Sequence, residues 1–495
     1  MPFPQPLSSV SRWRDPAHLA VLSVLVAGIT LRFVGLTRQS LWDDEMLTVR
    51  LASLPASELL ARLPQLDGHP PLFHLQLHFW TLLFGSSLAA FRANAATWGS
   101  LALIAFYRLL KQSGISPAAV LAGTSLLALS PLHLAYSQEI RPYSLAIFLS
   151  ICGFFLLEKA RTGDLRQTLT PGLVIVLTLL LFTHYWGLFV GAAECLVAIA
   201  LIARRRQWTT SWAILIPWIL FGAWVPMVVR QAAHVQQAVF WVPQASFLNL
   251  IRPFGALTSL RFEFASALFF PWPRTAVPIF LGTAWAALAL AGLTRRTFPA
   301  WLWLGLGLGI PFVLSFRAPS VFVWYRYPSL LLPAFLWMVA GGIDAPRRKA
   351  LPAVLTLVIL AGSLAGVRAY FTTWEKANPK SVMAYVNSLP SDASVVVRPA
   401  YFAELANYYS AGGRTMLDED KMLPDERARL QAVGPVVLIA FDALEPVTTA
   451  FLNEFHVDSS RYFPGTAHLG ITVYLLSGKP RSAAPNRAAY FTGTD

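Results

Sequence analysis

The strongest constraint on this chain is a series of apolar runs, most of them nearly free of charge. Each is close to the ~20 residues that a helix needs to cross a hydrocarbon layer about 30 Å thick. They fall near 17–36, 89–110, 117–135, 142–158, 170–184, 186–203, 211–229, 275–294, 299–316, 328–343 and 350–370. Lipid offers backbone amides no partner, so such runs must be helices. Composition agrees: 56% of the 495 residues are hydrophobic and 13% are charged, against about 25% charged in soluble domains. A soluble enzyme is thereby excluded. The expected fold class is a polytopic α-helical membrane protein with about eleven transmembrane helices.

Charge sets the expected orientation. Residues 1–370 hold 28 basic and 12 acidic residues, and residues 371–495 hold 11 and 13, so the net +14 divides into +16 and −2. The basic residues form no stripe, which argues against nucleic acid as a partner. They cluster instead in alternate loops: Arg108/Lys111, Lys159/Arg161/Arg166, Arg204–Arg206, Arg295/Arg296 and Arg347/Arg348/Lys349. With Arg12 and Arg14 these make about 15 in roughly 56 positions, against about 10 in twice that length elsewhere, as a cytoplasmic face requires. The run after Arg14 is long and lacks a small-residue cleavage site, so it reads as a retained first helix behind a cytoplasmic N-terminus. The pattern holds only if the short apolar segment Pro71–Gly85 does not cross; it is expected to lie in the outer interface. An odd number of spans then places 37–88, 136–141, 184–185, 230–273, 317–327 and 371–495 outside.

The C-terminal part changes character. Short β-branched runs, Ala393–Arg398, Pro435–Ala440 and Ile471–Leu476, alternate with helical patterns. This reads as a small external α/β domain over 371–495, following a membrane domain over 1–370 whose first external loop, 37–88, carries the juxtamembrane helices. It shows no glycine-rich phosphate loop. The two cysteines, Cys152 and Cys195, lie inside apolar runs, which argues against a disulfide framework or a cysteine zinc site.

The polar residues that stand out fall in the expected external segments. The first loop holds Asp43-Asp44-Glu45, which suits either a helix start or a general base beside an acceptor hydroxyl. Asp67-Gly68-His69-Pro70-Pro71 leads into the interfacial helix, where His74 and His78 follow at helical spacing. A metalloprotease helix would need Glu after the first His, and Leu75 stands there, so no metal is indicated. Glu139 and Arg141 could pair with each other, or Arg141 could meet a phosphate through its planar fork. Aromatic belts account for Tyr185, Trp186 and Tyr327, but poorly for His184 and Arg326. For Arg32, near the outer end of the first helix, snorkelling is at least as good an explanation as a place in a site.

Several of these motifs together resemble the GT-C glycosyltransferases. They are the acid pair after the first span, His-Pro-Pro-Leu at 69–72, Glu-x-Arg-Pro-Tyr at 139–143 and Arg-Tyr-x-x-x-Leu-Leu-Pro at 326–333. The chain is most similar to the bacterial protein-O-mannosyltransferase-like group, which includes lipid A aminoarabinose transferases and rhizobial-type galacturonic acid transferases. The resemblance covers roughly residues 30–345. It implies a bacterial inner-membrane enzyme with a periplasmic C-terminal domain. The implied reaction is inverting transfer from a polyprenyl-phosphate sugar to a hydroxyl of lipid A, a glycan or a protein. By carry-over Asp44 is the base and Glu45 orients or anchors, with Asp43 an extra acid. Arg141, Arg326, His69, Glu139, His184 and Tyr327 fall on the side of the donor phosphate and substrate. The aminoarabinose transferases carry a lysine where His69 stands. No cofactor is named by any residue pattern.

Two other readings compete. One is an oligosaccharide ligase or polymerase using a lipid-diphosphate donor. The other is a transporter of lipid-linked sugar, which predicts polar residues or broken helices near mid-membrane; here the informative charges lie at outer helix ends, apart from Glu194 in the sixth span. The orientation is directly testable. A reporter fused after residue 370 should be active outside the cytoplasm, and one fused within 204–210 should be active inside. A cytoplasmic signal at 370 would overturn the external placement.

Overall fold

The computed structural model describes residues 16–238, 246–258, 276–316, 323, 326–345, 349–372, 378–399, 402–411, 416–418, 422, 424–441, 446–464 and 470–478. Arg12, Arg14, Arg347, Arg348 and the 239–245, 259–273, 317–322 and 324–325 parts of the expected external segments 230–273 and 317–327 lie outside them. The chain divides into two compact units: residues 1–37 with 47–374, and residues 38–46 with 375–495.

The larger unit is helical. Every apolar run of the sequence contains helix, and five helices are long and apolar enough on their own to cross a membrane. These are Pro16–Phe33, Tyr143–Thr162, Gly187–Arg205, Tyr327–Asp344 and Ala350–Thr372. A sixth crossing is available if Trp208–Gly222 and Val225–Ala233, bent by 48°, count as one. Local chemistry shortens the others. The run 117–135 breaks into Pro117–Ala128 and Pro131–Tyr136, because Pro131 has no N–H to continue the ladder and Ser130 caps the new start. The run near 170 opens with a π-turn at Leu169–Leu173, around Pro171.

The short segment forms the helix Leu72–Phe84, with Pro71 before it and Gly85 (φ 81°) ending it. Thirteen residues reach about 20 Å, too short to span. Its two ends also return to one side of the bundle. Asp67, just before it, bonds Arg141. Arg92, just after it, donates to the Leu36 carbonyl, and Gln138 donates to the carbonyls of Leu31, Arg32 and Val34.

Arg32 does not snorkel. It is fully buried and donates to the carbonyls of Gly28 (2.6 Å) and Leu127 (3.1 Å), with His133 Nδ1 at 2.6 Å. The carbonyls that end the helix Pro117–Ala128 need donors, and the guanidinium supplies one from inside the bundle. Helix pairing elsewhere depends on small residues. A methyl on Gly342 would run into the Leu288 carbonyl, and one on Gly292 into that of Met338.

The smaller unit contains a five-stranded sheet of order β2-β1-β3-β5-β4. Its strands are β1 Ser394–Arg398, β2 Met416–Asp418, β3 Val436–Phe441, β4 His456–Phe463 and β5 Ile471–Ser477. β1 runs parallel to β2 and β3, while β5 is antiparallel to β3 and β4. The three runs read from sequence are β1, β3 and β5, the most buried strands. β4 was illegible because it is an exposed edge rich in polar residues. Val396, Leu438, Phe451, Phe455 and Leu476 form the core under the sheet.

The close helix pairing gives a stability prediction. Gly342→Ala should lower the thermal midpoint of the purified full chain, on the scale of the ~1–3 kcal/mol that overpacking costs. Gly305→Ala, with open space around it, should not. Equal midpoints for both variants would remove the close approach as a source of stability.

Candidate functional site

The larger unit gathers its polar residues around one buried carboxylate, Asp67. The residue ends the helix Ala56–Leu66, its N–H bonded to the Leu63 carbonyl. Oδ1 lies 2.5 Å from His69 Nδ1. Oδ2 accepts from Arg141 Nη1 at 2.9 Å and lies 3.2 Å from His74 Nε2. Arg141 also donates to Thr48 Oγ1 at 2.9 Å, and its other terminal nitrogen is 3.0 Å from His69 Nδ1. Gln231 fixes the backbone of this turn, donating to the carbonyls of Asp67 (2.8 Å) and His69 (2.9 Å). Its Oε1 accepts from the Tyr185 hydroxyl, which accepts from Trp224 Nε1 at 3.1 Å.

Aromatic rings extend the cluster. The His69 ring centre is 4.8 Å from that of His184, which is 5.6 Å from Tyr143 and 5.1 Å from Tyr327. The charges of Arg326, Arg141 and Glu139 all reach Tyr143, and all three side chains are buried. His69, Glu139, Arg141, His184, Arg326 and Tyr327, named separately from sequence, are thus neighbours. They come from segments 37–88, 136–141, 184–185 and 317–327, and Gln231 adds 230–273.

Electrostatics follow from burial. Desolvation alone would raise the Asp67 carboxyl, but Arg141, His69 and the bond from His74 hold it well below the usual carboxylate range. Burial pushes the imidazole of His69 down, against the pull of Asp67, and pushes His184 well down, aided by His69 and Arg141. Among the described residues no group of three or more His, Cys, Asp or Glu could hold a metal ion.

The acids Asp43, Asp44 and Glu45 belong to the smaller unit. They open the helix Asp43–Ala52, where carboxylates meet the positive end of the dipole. The preceding residues are tied within that unit. The Leu41 N–H donates to the Tyr409 hydroxyl at 2.9 Å, and Ser40 donates to Asn378 Oδ1 at 3.1 Å. Asp43 is half-buried; desolvation, Asp44 and Glu404 push its carboxyl up to about 7. Glu45 is buried.

Sequence reading missed Asp67 as the hub, together with Thr48, Gln231 and Tyr143. The signal for Asp67 was present in Asp67-Gly68-His69, where a carboxylate two residues from an imidazole can orient it. Gln231 carried none, since a lone Gln in a polar loop has no distinctive chemistry.

No family model matches the chain, and neither does any curated protein sequence. Solved structures do. The chain is similar to ArnT from Cupriavidus metallidurans in its apo state, at 13% identity, covering 94% of this chain and 98% of that one with a TM-score of 0.54. Against the same protein bound to undecaprenyl phosphate the values are 14%, 93%, 98% and 0.53. Against the archaeal oligosaccharyltransferase AglB from Archaeoglobus fulgidus, in complex with an inhibitory peptide and a dolichol-phosphate, they are 12%, 90%, 71% and 0.50. At such identities the likeness is one of fold. The chain has the GT-C fold of these glycosyltransferases and is a multi-pass membrane protein.

Asp43 generates a pH prediction. Its carboxyl is raised in the fold, so between about pH 4 and 7 the folded chain holds a proton that the unfolded chain releases, and stability falls as pH rises. Asp67, held low, acts only below about pH 4, where stability falls as pH drops. Asp43→Asn should therefore flatten the decline of the thermal midpoint between pH 4 and 7. An unaltered slope would rule out Asp43 as its cause.

Proposed function

We propose that this chain is an inverting glycosyltransferase. It moves a sugar from a polyprenyl-phosphate donor to a hydroxyl of a lipid, glycan or protein acceptor at the outer face of the bacterial inner membrane. The observation that carries this reading is the convergence on Arg141. Segments that lie between apolar helices bring a buried Arg–Asp–His network, a second arginine and two tyrosines together at one end of a GT-C bundle. A polyprenyl phosphate keeps its chain in the bilayer, so its phosphate must be met at helix ends, where these residues are. ArnT has been crystallised with undecaprenyl phosphate and AglB has been solved with a dolichol-phosphate, which supports a lipid phosphate as the ligand of this fold.

On this reading the acceptor oxygen attacks the anomeric carbon from the face opposite the phosphate. Asp44 takes the hydroxyl proton as the sugar–phosphate bond breaks. Asp43, with its carboxyl near 7, stands beside it in the range suited to a base at neutral pH. Glu45 orients the pair. The phosphate gains charge as it leaves, and Arg141 and Arg326 stabilise that charge more in the transition state than in the ground state. Glu139, His184 and Tyr327 shape the substrate's surroundings. A lipid-diphosphate donor would present a second phosphate to the same cations, and no structural feature favours it.

Loss of the protein should remove a sugar from lipid A or an envelope glycan, read by mass spectrometry; unaltered envelopes would count against the reading. Asp44→Asn should cut transfer about 10²–10⁴-fold while donor binding persists. An Asp43→Asn/Asp44→Asn double variant working at the parental rate would reduce these acids to a helix start. Arg326→Ala should raise the barrier by about 2–4 kcal/mol, the scale of a lost oxyanion donor. Arg141→Ala should in addition destabilise the protein, because it strands the Asp67 carboxylate.

A further inference from the structure

Resting on that proposed function, we propose that Asp67 and His69 form a dyad in which His69 gives a proton to the departing phosphate. The argument begins with a nitrogen that faces two partners. His69 Nδ1 lies 2.5 Å from Asp67 Oδ1 and 3.0 Å from an Arg141 nitrogen. A ring nitrogen either donates or accepts. At 2.5 Å two lone pairs would repel strongly, whereas a charge-assisted bond to a carboxylate is expected to be short. Nδ1 therefore carries the proton and donates it to Asp67, and the Arg141 contact is not a hydrogen bond. Asp67 is locked in turn by Arg141, His74 and the Gln231 bonds to its turn, so the ring is held in one tautomer.

That tautomer fixes what Nε2 can do. In the neutral ring Nε2 is a lone pair, and among the described residues it makes no hydrogen bond. Some surface of the side chain stays open, 8% of it. A lone pair cannot face a phosphate oxygen, so the ring meets an anion favourably only after gaining a second proton at Nε2. Arg141 does not remove this need, because it is shared with Asp67 and offers the phosphate donors and only part of its charge. Among the described residues the other groups against the ring are His74, His184 and Tyr143, none of them an anion, with Glu139 and Arg326 acting on Tyr143. Burial pushes the free imidazole of His69 down, but an anion at Nε2 favours the charged ring, and the second ionisation of a phosphate monoester lies near about 6, so one proton can be shared between them.

The step balances. The acceptor hydroxyl proton passes to Asp44, the sugar–phosphate bond breaks, and its electron pair stays on the phosphate oxygen. The His69 Nε2 proton moves to the phosphate, which leaves as the monoanion. His69 is reprotonated from solvent. Asp67 is the positioning residue and His69 the catalytic one.

The test is proton linkage on binding the product, with undecaprenyl phosphate titrated into the full chain in lipid nanodiscs at about pH 8, where imidazole and phosphate are both largely deprotonated when free. Calorimetry in two buffers of different ionisation enthalpy gives the protons taken up. The parent protein should take up close to one, His69→Gln close to none, and Asp67→Asn an intermediate number. Binding without proton uptake by the parent would overturn the dyad and leave the proposed function standing. Equal uptake by parent and His69→Gln would overturn it as well. Failure of the parent to bind undecaprenyl phosphate at all would sink the proposed function and the dyad with it.

Discussion

A buried carboxylate organises the polar end of the membrane unit. Taking Asp67 out of water costs several kcal/mol unless its lone pairs are met, and the fold meets them with Arg141, His69 and His74. Each partner comes from a different place: Arg141 from between two helices, His69 from the same turn, His74 from the helix that follows. The requirement to satisfy one anion therefore fixes three side chains, and Gln231 fixes the backbone of the turn that carries Asp67 and His69. Arg141 enters the site already neutralised. What the cluster offers a ligand is less net positive charge than a set of donors whose orientation is settled in advance, which is the property that favours a transition state over a ground state.

Two charged residues deeper in the bundle contrast: one is bonded, and the carboxyl of the other has no hydrogen-bond partner among the described residues. Arg32 covers the carbonyl end of a broken helix. Glu194, on the helix Gly187–Arg205, lies fully buried against Gly153, where any side chain would strike its carboxyl. The close helix contacts at Gly292 and Gly342 follow the same logic: without a hydrophobic drive between helices in lipid, intimate packing decides which faces meet. The basic residues that mark the expected cytoplasmic loops are bound to nearby backbone in places. Arg205, for example, donates to the carbonyls of Gly163 and Arg161, which ties two of these loops together.

The acids of the first loop illustrate a division that chain order conceals. Residues 38–46 lie near the start of the sequence yet group with residues 375–495, anchored through Ser40, Leu41, Asn378 and Tyr409. The raised carboxyl of Asp43 depends partly on Glu404, more than 350 positions later in the chain. Removing the C-terminal part would therefore also remove the groups that hold and tune the acid segment.

Apolar runs near the length of a bilayer crossing, loop charges in alternation and three β-branched runs were legible in the sequence, because each is a local property imposed by lipid or by a pleated, buried strand. They were enough to indicate the helical class, the short helix Leu72–Phe84 that turns back, and the central strands of the sheet. The motifs at 69–72, 139–143 and 326–333 lie in segments that the fold brings together. Tertiary structure decided the rest: that Arg141 pairs with Asp67, that Gln231 holds their turn, that Arg32 faces inward and that Asp43 titrates high. These outcomes depend on which side chains share a desolvated space. Burial makes a pairing compulsory without naming the partner, and only the packing of distant helices supplies one.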